Sequence, residues 1–313
     1  MEHEIREQVS VLQVGASRYA ESLAASLKGA DFEMVLLIAR GSSDNAALFA
    51  RYLVEVYLQK PVSLCAPSVL TRYNSTIHYP PCLAIGISQS GAAPDVAEVL
   101  ASLSAQGHST LAITNTAGSR ITQEASATLL LEAGLEKSVA ATKTYSASIL
   151  ALYELVRVLG GDIPSPVDTL PNVVWMETAR EAALAAQGPV LRNSPVFSLA
   201  RGFGYSTAQE TALKLMECAL IPCKAFSSAD FQHGPKALAG HGSCAISFEG
   251  PQPDLAAQGC EILPSPPLPD SVPATLAPLW DVIFGQWLAL CCARALGLNP
   301  DDPRHIRKVT ETL

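Results

Sequence analysis

Glu210, Lys214 and Glu217 recur at spacings of four and three in a run that reads as a helix, so their side chains share one helix face. Two carboxylates beside one ammonium are a workable acid–base set. The lysine holds one carboxylate in place and ionised, and the other moves a proton. The same spacing fits an ordinary solvated Glu–Lys helix face. Asp230-Phe231-Gln232-His233-Gly234-Pro235 reads as a loop turned by Gly-Pro, and its histidine has the right pKa to shuttle protons near neutrality. A hydrogen-bonding loop histidine would look the same. Two further segments suit an anion. Arg40-Gly41-Ser42-Ser43 and Ser88-Gln89-Ser90-Gly91 each follow an apolar run and precede a helix-like run. Hydroxyls and backbone N–H groups at a helix N-terminus form a phosphate cradle, although a helix-capping loop uses the same residue types. The tail bearing Lys308 is basic, and such tails are usually solvated.

These groups need a frame, and the frame reads as alternating strands and helices. Phe32–Ala39 is apolar without alternation, as a parallel strand covered on both faces should be. Further strands are expected at 62–66, 82–87, 109–114 and 127–131. Helices are expected at 5–27, 44–59, 94–106, 119–125 and 142–159. Gly160-Gly161-Asp162-Ile163-Pro164-Ser165-Pro166 breaks the pattern and marks a linker. Val196–Gly202 then echoes Leu36–Gly41, which points to an internal duplication. After the strand candidates at 244–248 and 260–263 comes a proline-rich loop, too short for a full second copy. The expected class is α/β, with two tandem doubly wound parallel-sheet domains, the second shortened. Their expected bounds are 1–160 with a helical lead-in, a linker at 161–172, and 173–313 with the tail.

The bulk properties narrow the function. The 313 residues suit two domains, and 49% hydrophobic content supplies their cores. A net charge of -8 argues against nucleic-acid binding, so an anionic ligand must be held by local dipoles and a few cations. The eight cysteines show no metal-like spacing and read as structural thiols. The charged N-terminus lacks the apolar core of a secretion signal, and no apolar run reaches membrane-spanning length. The expectation is a soluble, reduced, cytoplasmic protein.

Taken together, these segments resemble the sugar isomerase (SIS) family, and within it the isomerase half of glutamine–fructose-6-phosphate transaminase and its stand-alone relatives. The resemblance runs through Glu4–Gln8, Arg40–Ser43, Ile87–Gly91, Glu136–Lys143, Arg201-Gly202, Glu210–Glu217, His233–Pro235, Asp302–Arg304 and Lys308. It implies two SIS domains of five parallel strands each, and a homodimer whose His-Gly-Pro loop reaches the neighbour's site. It also implies roles. Ser42, Ser43, Ser88, Gln89 and Ser90 would bind phosphate, and the backbone at Val139 and Ala141 would touch the sugar. Glu217 would move the proton between C1 and C2, and Lys214 would position both substrate and base. His233 would open the sugar ring, and Lys308 would form a Schiff base with the keto sugar. No metal or redox cofactor is implied.

The chain departs from the family in the second loop. Ala93 stands where close relatives carry a hydroxyl, and Ala92 where they carry glutamate, so one phosphate hydrogen bond worth about 1–3 kcal/mol is missing. Arg40 replaces a cysteine and would add a cation near the anion. The chain begins on the lead-in without a glutaminase domain. The expected reaction is therefore that of an aminosugar-phosphate deaminase/isomerase, interconverting glucosamine 6-phosphate with fructose 6-phosphate and ammonia. A fructosamine-6-phosphate deglycase and a non-catalytic sugar-phosphate sensor are the alternatives.

Overall fold

The computed structural model describes residues 1–308; the tail residues 309–313 lie outside it. The chain divides into two compact units. A five-stranded unit comprises Ser10–Glu136, Lys143–Val167 and the tail from Arg307. A four-stranded unit comprises Met1–Val9, Lys137–Thr142 and Asp168–Ile306.

In the five-stranded unit, the lead-in helix α1 (Glu2–Ser26) is followed by β1 (Met34–Ile38), α2 (Ser42–Leu53), β2 (Val62–Leu64), α3 (Ser68–Thr71), β3 (Cys82–Ile87) and α4 (Pro94–Ala105). Then come β4 (Ser109–Thr114), α5 (Arg120–Glu124), β5 (Ala127–Leu130) and α6 (Lys143–Val158). All strands are parallel, in the order β2-β1-β3-β4-β5. β3 is buried at every position, as its unbroken apolar run requires of a central strand covered on both faces. Leu36, Ile38 and Ala84 pack with Val96, Leu100 and Ile121 in one core cluster. Gly86 brings α4 close to the sheet: a Cβ there would meet Leu100 Cδ1 at 2.4 Å.

The four-stranded unit contains α7 (Val173–Arg192), β6 (Val196–Ala200), α8 (Tyr205–Ala219), β7 (Cys223–Ser227), α9 (Ser228–Phe231), β8 (Cys244–Ser247), α10 (Pro253–Ala257), β9 (Glu261–Pro264) and α11 (Ala277–Ala295). Its parallel order is β7-β6-β8-β9, the same as the first four positions of the other sheet when read in chain order. The resemblance implied five strands, and this sheet has four. The cause is local. β9 ends at Pro264, and Pro266, Pro267 and Pro269 follow with no N–H to extend a ladder. The sequence reading assigned nothing to α7, whose start is capped by Asn172 accepting from the Trp175 N–H at 3.0 Å. Among the described residues, no helix is long and apolar enough to cross a membrane.

Candidate active site

The Glu–Lys–Glu triplet lies on α8, which follows β6 through a short 3₁₀ turn at Gly202–Gly204. Lys214 Nζ is 2.5 Å from Glu217 Oε2 and 3.3 Å from Glu210 Oε1. The Lys214 and Glu210 side chains are fully buried, whereas that of Glu217 is 24% exposed. This is not a solvated helix face. Burial opposes the charge on Lys214, but the Glu210 and Glu217 carboxylates outweigh it and hold the ammonium above its ordinary pKa. The triplet thus presents one reachable carboxylate, Glu217, backed by a fixed cation. α11 keeps α8 in place through close contact, since a Cβ on Gly285 would meet Thr211 Oγ1 at 2.1 Å.

Glu217 lines a cavity of about 190 Å³ with Cys218, Leu220, Asn299 and Arg304. Burial pushes the Cys218 thiol up to about 12, so it supplies no thiolate there at neutral pH. His233 is exposed on the turn after α9, where its backbone N–H donates to the Asp230 carbonyl at 3.0 Å. Among the described residues, no hydrogen bond or ion pair joins His233 to the triplet.

Val139 and Ala141 are half-buried in the segment Lys137–Thr142 of the same unit, with Ala140 fully buried between them. This segment is strapped down by groups far away in sequence. The N–H groups of Lys137 and Ser138 donate to Glu4 Oε1 at 2.5 and 3.2 Å. The Ser138 hydroxyl donates to Asp301 at 2.5 Å, and Gln286 Nε2 donates to the Thr142 carbonyl at 3.3 Å. Burial works against the Glu4 charge, but these donors and the N-terminal ammonium keep its carboxyl below the ordinary range. The segment therefore presents its backbone from a fixed position.

The serine-rich loops belong to the five-stranded unit. β1 and β3 are neighbours, with Ile38 beside Gly86, and the chain leaves them in opposite directions across the sheet. Such a switch point opens a crevice at the carboxyl ends of the strands, where α/β sheets bind ligands. Ser42 and Ser43 open α2, with Gly41 at φ 56 turning the chain into it. In the second loop, the Gly91 N–H donates to Ser88 Oγ at 3.2 Å and the Ala92 N–H to Ser90 Oγ at 3.3 Å. The Thr114 hydroxyl and the Asn115 N–H bond to the Gln89 carbonyl at 3.2 and 3.0 Å, fixing the loop against β4. Ala93 is the N-cap of α4 and provides no side-chain cap, so the hydroxyl missing from the sequence is missing at a helix N-terminus. Arg40 Nε is 2.7 Å from Asp95 Oδ2, a carboxylate 2% exposed. The cation expected to serve the anion is thus matched by a carboxylate already.

Lys308 also belongs to this unit. Its Nζ is 2.8 Å from Glu136 Oε2. Glu136 is held by Thr144, whose N–H donates at 3.1 Å and whose hydroxyl donates at 2.6 Å. The tail lysine is therefore docked on a buried carboxylate. Glu4, Asp95, Glu136 and Thr144 were not recognised as working residues from sequence. Glu4 and Glu136 lay inside matching segments, but nothing in their spacing showed their partners. Among the described residues, no group of three or more His, Cys, Asp or Glu is arranged to hold a metal, and all eight cysteines are free thiols.

Residues 30–157 match the family model described as the SIS domain. The chain is 30% identical to the isomerizing glutamine–fructose-6-phosphate aminotransferase of Methanothermobacter thermautotrophicus, over 97% of this chain but 56% of that relative's own length. It therefore spans little more than half of that protein. Its fold is similar to that of a glucosamine-6-phosphate deaminase from Thermotoga maritima, with a TM-score of 0.82, 22% identity and 99% of both chains covered. It is also similar to the C-terminal domain of glucosamine-fructose-6-phosphate aminotransferase from Francisella tularensis, with a TM-score of 0.76, 22% identity, and 96% and 97% of the two chains covered. Residues 30–157, with the serine loops they carry, belong to the SIS domain family.

Proposed function

We propose that the protein is a sugar-phosphate isomerase of aminosugar metabolism, and more specifically an aminosugar-phosphate deaminase/isomerase. Glucosamine 6-phosphate and water would give fructose 6-phosphate and ammonia, or the reverse with free ammonia. The observation that carries this reading is the partly exposed Glu217 carboxylate held 2.5 Å from a fully buried lysine. A sensor needs only the phosphate cradle and has no use for a buried cation behind one reachable base.

The roles follow from chemistry. A phosphate on Ser42, Ser43, Ser88, Gln89 and Ser90 fixes the substrate's remote end and contributes orientation to the reacting end. His233 exchanges protons with the ring and anomeric oxygens and opens the pyranose. Glu217 takes the proton from C2 of the open aldehyde and returns it to C1. The aminated product then carries a C2 imine, and water adds to release ammonia. Lys214 remains an ammonium throughout and holds the Glu217 side chain in place. The backbone of Val139 and Ala141 lies along the sugar. Lys308, docked on Glu136, supplies the amine that exchanges with the C2 carbonyl. The working form is a homodimer in which His233 serves the neighbouring chain's substrate.

The test is to incubate the protein with glucosamine 6-phosphate and measure ammonia and fructose 6-phosphate together. Equimolar products, lost by at least a hundredfold in Glu217→Gln, are expected. Binding of aminosugar phosphates without turnover would leave a sensor. Turnover only of fructose phosphates conjugated to larger amines would favour the deglycase reading, whereas the missing hydroxyl at Ala93 is the observation on the side of the sensor.

A further inference from the structure

Two of the residues at which the serine loops depart from the resemblance meet at the start of α4. Ala93 leaves that N-terminus without a side-chain cap, and Asp95 stands two residues further on, in the first turn. Arg40 reaches the same turn from the loop after β1, through its ion pair with Asp95. The guanidinium is thereby brought within about one helical turn of the position that lacks a hydroxyl. Its charge reaches the other loop as well. Burial pushes up the Asp44 carboxyl in the first turn of α2, and the Arg40 guanidinium opposes that rise.

Arg40 is thus near the first turns of two helices, which is the unfavourable end for a cation. Helix N-termini carry partial positive charge and attract anions, whereas cations are favoured at C-termini. Asp44 and Asp95 offset part of this repulsion, and a bound anion would offset more. The ion pair does not use up the guanidinium. The hydrogen bond to Asp95 engages Nε, and among the described residues the two Nη groups make none. The Asp95 side chain is 2% exposed, whereas that of Arg40 is 50% exposed. A buried carboxylate therefore anchors a side chain that solutes can reach. The pair of Nη groups is a planar two-donor edge that matches two oxygens of a phosphate.

We propose that Arg40 binds the phosphate of the substrate, held by Asp95 so that its Nη edge takes the place of the hydroxyl absent at Ala93. This rests on the reading of the serine loops as a phosphate site, and it adds a residue which that reading omits. A charge-assisted hydrogen bond is roughly twice as strong as a neutral one, so the exchange does not weaken the cradle. It makes recognition depend more on charge, and the group selected is a terminal phosphate monoester.

Inorganic phosphate serves as the probe, titrated into the full chain at low ionic strength by calorimetry. Saturable one-site binding by the wild type is expected, weakened about tenfold or more in Arg40→Cys. Ala93→Ser supplies an N-cap hydroxyl. It should regain about threefold or more in the Arg40→Cys background and less in the wild type, because the two groups serve the same oxygens. A loop merely displaced by loss of the ion pair would not be rescued in this way. Thermal melting establishes that each variant folds. Should Arg40→Cys unfold with Asp95 left unpaired, Arg40→Lys decides, since it keeps the charge without the fork and should weaken phosphate about threefold or more. No saturable phosphate binding by the wild type would overturn the phosphate reading of the loops and this proposal with it. Wild-type binding that the folded Arg40 variant leaves unchanged, or a loss in Arg40→Cys that Ala93→Ser does not restore, would overturn the proposal alone.

Discussion

A lysine with no exposure remains charged on α8 because two carboxylates face it, while a buried aspartate on α11 has no cation among the influences on its charge. The two residues show the same balance with opposite outcomes. At Lys214 the carboxylates outweigh burial, and the ammonium is favoured. At Asp281 burial dominates, and the carboxyl is pushed up from its ordinary 3.8 to about 7. A pH dependence of stability follows. In the unfolded chain Asp281 loses its proton near its ordinary value, whereas in the folded chain it retains the proton to about 7. The stability this contributes is complete at low pH and is lost as the pH rises from about 4 to 7. At ~1.4 kcal/mol per unit, the loss is on the order of 4 kcal/mol. Asp281→Asn does not titrate, so its stability relative to wild type should rise across that window and level off above it. Urea unfolding of both proteins at pH 4, 6 and 8 measures this, and a difference that stays constant with pH would show that Asp281 ionises freely.

At the scale of elements, the proposed phosphate site rests on the strand-to-helix loops, and Gly91 sets the geometry of one of them. Its φ is 65, and a Cβ there would meet Ser119 Oγ at 2.0 Å and Thr114 Oγ1 at 3.0 Å. Gly91→Ala therefore combines strain with a clash and should displace Ser88 and Ser90. The expected result is a KM for the sugar phosphate raised about tenfold or more, with kcat changed less. Gly107 is the control, because its φ is 86 but a Cβ there meets nothing. Gly107→Ala should cost about 1 kcal/mol of stability and leave KM unchanged. If both variants raise KM alike, the loop does not hold the phosphate. The apolar runs and their breakers made the strands legible in the sequence, and β3 and β4 lie where those runs do. The helix face of the triplet was legible because its spacing is local. Pairings across elements were not: Arg40 meets Asp95 from the helix after a neighbouring strand, and Lys308 meets a glutamate 172 positions away. The missing fifth strand could be read only as a shortage of chain. α7 was unread because alanines at 179, 183 and 186 make up half of its buried stripe, a weak signal for an amphipathic face.

At the scale of the whole molecule, the position of His233 bears on how many chains make a working enzyme. The imidazole is exposed, and no hydrogen bond joins it to the Glu217 triplet of its own chain among the described residues. An exposed loop histidine can act on a substrate held by another copy, as the proposed homodimer requires. Two dead variants then distinguish the arrangements. Glu217→Gln removes the proposed base from one chain's site, and His233→Ala removes the proposed ring-opening group that its own chain would lend to the other. In a mixed dimer, one site carries both lesions and the other carries neither. Random pairing of equal amounts should therefore restore about a quarter of wild-type turnover, since about half the dimers are mixed and each has one intact site. If His233 serves its own chain, every site in every dimer has one lesion, and mixing restores nothing. Co-expression of the two variants, followed by the coupled ammonia and fructose 6-phosphate assay, distinguishes these outcomes, and light scattering on the same sample determines whether dimers are present. Full activity from a monomeric wild type would remove the shared site.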